Sequence, residues 1–122
     1  MTVLVWIAVV VLGGSGAVLR FLGDRLVGRL PGRTVLPRGT LAVNVTGSLA
    51  LGLIGGLSAG PDVALLAGTA AVGSYTTFST WMLETQRLVE ERQVRAAVKN
   101  LLLSLILGVG AAALGVAIGA SV

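Results

Sequence analysis

Gly73-Ser74-Tyr75-Thr76-Thr77-Phe78-Ser79-Thr80-Trp81 is the stretch on which the fold turns. It fills the second half of a charge-free run, residues 63–83, that is long enough to cross a bilayer. Five Ser/Thr hydroxyls fall within the seven positions 74–80, in company with a glycine and three aromatics. That composition suits a lipid-facing helix poorly. It suits a helix that breaks at membrane depth and lines a polar path, because irregular backbone survives there only where protein or a wet cavity satisfies it. Glycine and β-branched threonines weaken a helix, and the groups freed at a break can bind ions. The competing reading is an unbroken helix whose hydroxyls bond back to carbonyls one turn earlier.

The rest of the chain agrees with a membrane setting. Only 11% of its 122 residues are charged and 55% are hydrophobic, whereas a water-soluble domain carries about 25% charged residues. Four charge-free stretches, residues 1–19, 39–61, 63–83 and 100–122, each reach spanning length. The expected architecture is an all-α membrane protein with one four-helix transmembrane domain over residues 1–122, its helices at about 3–22, 38–59, 62–84 and 97–120 and the third one broken. The first stretch has no basic residue before its apolar run, so it reads as a retained helix and not a cleaved signal peptide. The chain has no Cys and no His, which removes disulfides, thiolate metal sites and Ser-His catalysis together. With no nucleophile–base pair and no metal-ligand set, an enzyme is not expected.

All nine basic residues sit in two places. Arg20, Arg25, Arg29, Arg33 and Arg38 lie at or between the first two spans, and Arg87, Arg92, Arg95 and Lys99 lie between the last two. Those connections share one side of the membrane, and the other side has no Lys or Arg. A basic excess confined to such loops reflects topology and not nucleic-acid binding. The positive-inside rule places the basic connections in the cytoplasm and both termini outside a cell membrane crossed several times.

The polar groups within the spans are sparse and neutral. In the second span Thr40, Asn44 and Ser48 share one helical face, which continues as the small-residue seam Ser48, Gly52, Gly56. Asn44 is either interhelical glue or part of a pathway, and its alignment with hydroxyls favours the pathway. In the fourth span Asn100 and Ser104 share a face, and Ala111, Gly115 and Gly119 form a second seam of the kind that trims helix interfaces. Arg20 either snorkels to the interface or pairs inside the protein. Neutral donors beside aromatic edges, which are the positive part of the ring quadrupole, suit a small anion. Phe78 and Trp81 are three apart on one face, a spacing that also serves plain packing.

Gly39-Thr40-Leu41-Ala42-Val43-Asn44-Val45-Thr46-Gly47-Ser48, the Gly73–Glu84 stretch with its Thr-Thr-Phe-Ser-Thr string, and Gly13-Gly14-Ser15-Gly16-Ala17 with Arg20 together resemble the Fluc/CrcB fluoride channels, over essentially the whole chain. The resemblance implies a passive, fluoride-selective channel that lowers cytoplasmic fluoride. It also implies an antiparallel dimer in lipid with two pores along the subunit interface. By position, Thr40, Asn44, Phe78, Ser79, Thr80, Trp81, Asn100 and Ser104 would belong to the fluoride pathway. Gly73 and Thr76 would hold a structural sodium ion at the dimer centre through their backbone carbonyls.

Two features depart from the family pattern. Trp81 stands where the family has a second Phe, which leaves room for a weakened pore or for a non-conducting subunit that completes a partner's pore. The charge bias of nine to zero favours a single orientation in the membrane. That bias favours a heterodimer with an oppositely oriented homologue over a homodimer. A small multidrug-type exporter, also an antiparallel dimer, would need a carboxylate in its first span, and residues 1–19 contain none.

Overall fold

The computed structural model describes residues 2–122, and every element among them is helical. α1 spans Val3–Gly28, α2 Arg38–Leu57, α3 Pro61–Val63, α4 Gly73–Tyr75, α5 Ser79–Glu90 and α6 Val94–Ser121. Between α3 and α4 the chain winds as a π-helix over Ala64–Val72. α1, α2 and α6 are each long and apolar enough to cross a membrane. The third crossing is made of pieces: α3, the π segment and α4 up to Tyr75, then a non-helical Thr76–Phe78, then α5. Four crossings with the third one bent is the architecture read from the sequence.

The bounds differ from expectation in ways that local chemistry explains. α1 runs on from residue 22 to Gly28, six residues into the basic connection. There the Arg25 guanidinium lies 5.3 Å from the Phe21 ring centroid, a cation–π contact across one helical turn. Thr2 caps the other end, its hydroxyl accepting from the Val5 N–H at 3.4 Å. The connection to α2 is tied down by Arg38, whose guanidinium donates to the carbonyls of Leu30 at 2.8 Å and Pro31 at 3.2 Å. α2 ends at Leu57, Ser58 after it adopts the left-handed region, and Gly60, at φ 102°, turns the chain into Pro61 at the head of α3. α6 starts at Val94, three residues before the expected 97.

Small residues set which helices meet. A Cβ at Gly52 would collide with the Ala112 carbonyl and one at Gly56 with the Val116 carbonyl. From the other side, a Cβ at Gly115 would strike Leu49 and one at Gly119 would strike Leu53. The two seams read from the sequence therefore face each other, and α2 and α6 run parallel in close contact. α1 packs the same way on the third crossing: Gly16, buried, leaves no room for a methyl between itself and the Ala71 carbonyl, and Gly13 lies against Ser74. With α1 parallel to the third crossing and α2 parallel to α6, the helices alternate in direction, and both basic connections fall at one end.

The protein has little core of its own. Only four apolar side chains are buried among the described residues: Val43, Ala70, Leu88 and Ala97. Outward-facing Leu, Val and Ile residues cover α1 and α6, as lipid or a partner subunit requires.

Candidate functional site

The break is the centre of the site, and it falls later than glycine would suggest. Gly73 is an ordinary helical residue at φ −60°, ψ −37°. The chain leaves the helix at Thr76, which is extended at φ −81°, ψ 163°. Two threonines shape the turn. The Thr76 hydroxyl donates back to the Val72 carbonyl at 3.1 Å. The Thr77 hydroxyl accepts from the Thr80 N–H at 3.2 Å and so caps the start of α5.

Leaving the helix strips Thr77 of its partners, and Asn44 on α2 replaces them. Asn44 Oδ1 accepts from the Thr77 N–H at 2.8 Å, and Asn44 Nδ2 donates to the Thr77 carbonyl at 2.7 Å. A side chain from another helix thus does locally what the helical ladder would have done. One Nδ2 hydrogen is left over. The Thr77 N–H would otherwise have bonded to the Gly73 carbonyl, which is thereby released at the end of α4. The Thr76 carbonyl accepts a 3.4 Å bond from Arg20 Nη1 on α1. Arg20 is half-buried, and this one long bond is what joins it to the break.

Two grooves meet at this point. The larger, about 400 Å³, lies between α2, the break and α6, and Asn44, Ser48, Thr76, Phe78, Trp81 and Ser104 are among its lining. The smaller, about 170 Å³, lies between α1, α2 and the start of α5, with Arg20, Asp24, Thr40 and Thr80 in its wall. Thr77 borders both. Phe78 stands out from the surface with 69% of its area exposed. Its ring meets Trp81 edge to face, with centroids 5.8 Å apart and planes at 88°.

The expected pathway residues are accordingly divided. Asn44, Phe78, Trp81 and Ser104 share the larger groove, and Thr40 and Thr80 the smaller. Ser79 is exposed and lines neither. Asn100 is 3% exposed and lines neither groove, donating from Nδ2 to the Thr85 hydroxyl at 2.9 Å. Thr40 is buried and donates to the Glu84 carboxylate.

The sequence reading passed over some participants. Thr85 on α5 bonds to Asn100, and its spacing of four from Trp81 was the available signal. Tyr75 shares a 2.9 Å hydroxyl–hydroxyl bond with Thr46. Asp24 packs against the bare backbone of Gly39, where a Cβ would meet its carboxylate.

The architecture is that of a multi-pass helical membrane protein with a broken span and a neutral, aromatic-edged groove beside the break. Comparison with known proteins defines which kind. The family described as "CrcB-like protein, Camphor Resistance (CrcB)" matches residues 7–116. A Mycobacterium tuberculosis protein named Fluoride-specific ion channel FluC 2 is 57% identical over 115 residues, covering 94% of this chain and 90% of that protein. Symbiobacterium thermophilum has a Fluoride-specific ion channel FluC 1 that is 42% identical over 119 residues, covering 93% of this chain and 96% of its own. The corresponding FluC 1 of Streptomyces avermitilis is 44% identical over 115 residues, with 91% and 92% covered. The chain belongs to this CrcB-like family of ion channels, which are transport proteins and not enzymes.

Proposed function

We propose that this chain is a subunit of a fluoride-selective channel that lets fluoride leave the cytoplasm passively. The observation that carries the reading is the break held open by Asn44, with the aromatic-edged groove beside it. Fluoride is small and strongly hydrated, so a path must offer convergent donors in place of water. The groove offers the spare Asn44 N–H, the Ser104 hydroxyl and the edges of Phe78 and Trp81. The amides at the start of α5 point their positive dipole end toward the break. Among the described residues no ionisable side chain lines the larger groove, which suits passive flow better than proton coupling.

A structural sodium ion fits the other side of the break. The Gly73 carbonyl is released by the Thr77–Asn44 exchange, and the Thr76 carbonyl carries only the long Arg20 bond. Both stand at the negative end of a half-helix, the type of donor that unwound transporter helices offer to sodium. A bound sodium ion would add fixed positive charge beside the anion path. Two carbonyls from one chain under-coordinate an ion, so a second subunit would supply the rest.

The second subunit is proposed to be antiparallel, and the one-sided basic charge favours an oppositely oriented homologue over a second copy. A second reading, in which this chain completes a partner's pore without conducting through its own groove, is favoured by Trp81 alone. The test is fluoride efflux from liposomes, with chloride as the control. Efflux only when the chain is co-expressed with a homologue of opposite charge bias supports the heterodimer. Rapid selective efflux from the purified chain alone establishes a homodimer. No efflux in either case refutes the channel reading.

A further inference from the structure

Trp81 and two residues behind it, Thr85 and Asn100, form a closed circuit of hydrogen bonds. The Trp81 indole Nε1–H donates to the backbone carbonyl of Asn100 at 3.3 Å. Asn100 Nδ2 donates to the Thr85 hydroxyl at 2.9 Å. The Thr85 hydroxyl donates to the Trp81 carbonyl at 2.8 Å. Thr85 has one proton, and giving it to Trp81 leaves its lone pairs to accept from Asn100, so the donors run in one direction around the circuit. Asn100 and Thr85 are 3% and 8% exposed, which shields the bonds from competing water or headgroups.

The circuit holds Trp81 at both ends, by its backbone carbonyl and by its ring nitrogen, and joins α5 to α6. Phe78, by contrast, is largely exposed and has Trp81 as its aromatic neighbour. We propose that Trp81 and Thr85 are positioning residues for permeation: the circuit fixes the indole, and the fixed indole holds the Phe78 ring in its orientation at the groove. Orientation matters because only the ring edge is attractive to an anion. A phenylalanine at position 81 keeps an aromatic contact but has no N–H with which to join the circuit. The tryptophan therefore makes α6 part of the aromatic site, and Thr85 determines how firmly.

The inference rests on the channel reading for its effect on flux, and on geometry alone for the state of the indole. The chain has two tryptophans. In a Trp6→Phe background, Trp81 is the only one left, and Trp6 lies exposed on α1 away from the site. Thr85→Val removes the hydroxyl at nearly constant shape, and Thr85→Ser retains it. Fluorescence anisotropy of Trp81 and fluoride efflux are measured for both, with the partner homologue present if flux requires it. Thr85→Val is expected to lower the anisotropy and to slow efflux about two- to tenfold, the worth of one hydrogen bond. Thr85→Ser is expected to restore both. In a Trp81→Phe background Thr85→Val should add little further slowing.

Unchanged anisotropy in Thr85→Val overturns the circuit, whether or not the protein moves fluoride. Lower anisotropy with unchanged efflux overturns the positioning role. Equal slowing by Thr85→Val with Trp81 or Phe at position 81 shows that Thr85 acts by another route and overturns it as well. If the unmodified protein carries no fluoride at all, the channel reading fails, and the anisotropy result decides the circuit separately.

Discussion

At the scale of single residues the structure turns on Asn44. Its carboxamide exchanges two bonds with the Thr77 backbone, and it does so from a different helix. Such a group has two uses at once. It satisfies the broken backbone, and it brings one remaining donor to the groove wall. Asn44→Leu keeps the size and removes both bonds, leaving a backbone donor and acceptor unpaired at about 1–3 kcal/mol each. Thermal unfolding in detergent should therefore show a large loss of stability together with loss of flux. Ser79→Ala is the contrasting case. Ser79 is exposed and lies outside both grooves, so its stability should be unchanged. Any flux change in that variant would report directly on whether the ion passes the α5 start.

At the scale of elements, glycine spacing decides the packing of α2 on α6. Helices in a membrane gain little from the hydrophobic effect when they associate and depend on close contact. Gly52, Gly56, Gly115 and Gly119 provide it by bringing backbone against backbone. Gly52→Ala forces a methyl onto the Ala112 carbonyl and should cost about 1–3 kcal/mol in thermal or denaturant unfolding. Gly55 lies on the same helix with open space where its Cβ would go. Gly55→Ala should be neutral or slightly stabilising, since alanine favours the helix by about 1 kcal/mol over glycine. Equal destabilisation by both substitutions would show that the seam does not determine the packing. The third crossing follows another logic: the π winding over Ala64–Val72 departs from the α-helical ladder and the break at Thr76–Phe78 interrupts it, and α1 and α2 restore support through Gly16, Arg20 and Asn44.

At the scale of the whole molecule, one chain leaves much of its apolar surface uncovered. Its core is thin, its larger groove is open, and Phe78 stands exposed beside it. The charge pattern bears on the proposed antiparallel pairing. Nine basic residues at one end and none at the other favour one insertion direction. A reporter active only outside the cytoplasm, fused to the C-terminus, should be active, and a cytoplasm-only reporter at that position should be silent. Signal from both would show dual insertion and would return the homodimer to first place. Replacing sodium with a larger cation in the assembled channel should lower its thermal stability if the Gly73 and Thr76 carbonyls hold the ion. Insensitivity to that exchange would count against the sodium site.

Hydropathy and charge, both local properties, were enough to read the membrane class, the four crossings and the alternation of the chain. The same is true of the two small-residue seams, because a spacing of four places residues on one face whatever the partner is. The Ser/Thr-rich run also announced a break, since those residues compete with the helical ladder. Where that break falls was not legible. Gly73 is the weakest helix former in the run, yet it stays helical. The chain departs at Thr76–Phe78, because that is where Asn44, thirty-three positions earlier, can take over the lost bonds. Asn100 shows the same limit: its helical face pointed to a pathway, whereas its side chain turns to Thr85 on the neighbouring helix. A sequence states which groups will need partners, and only the packed helices decide which partners come within reach.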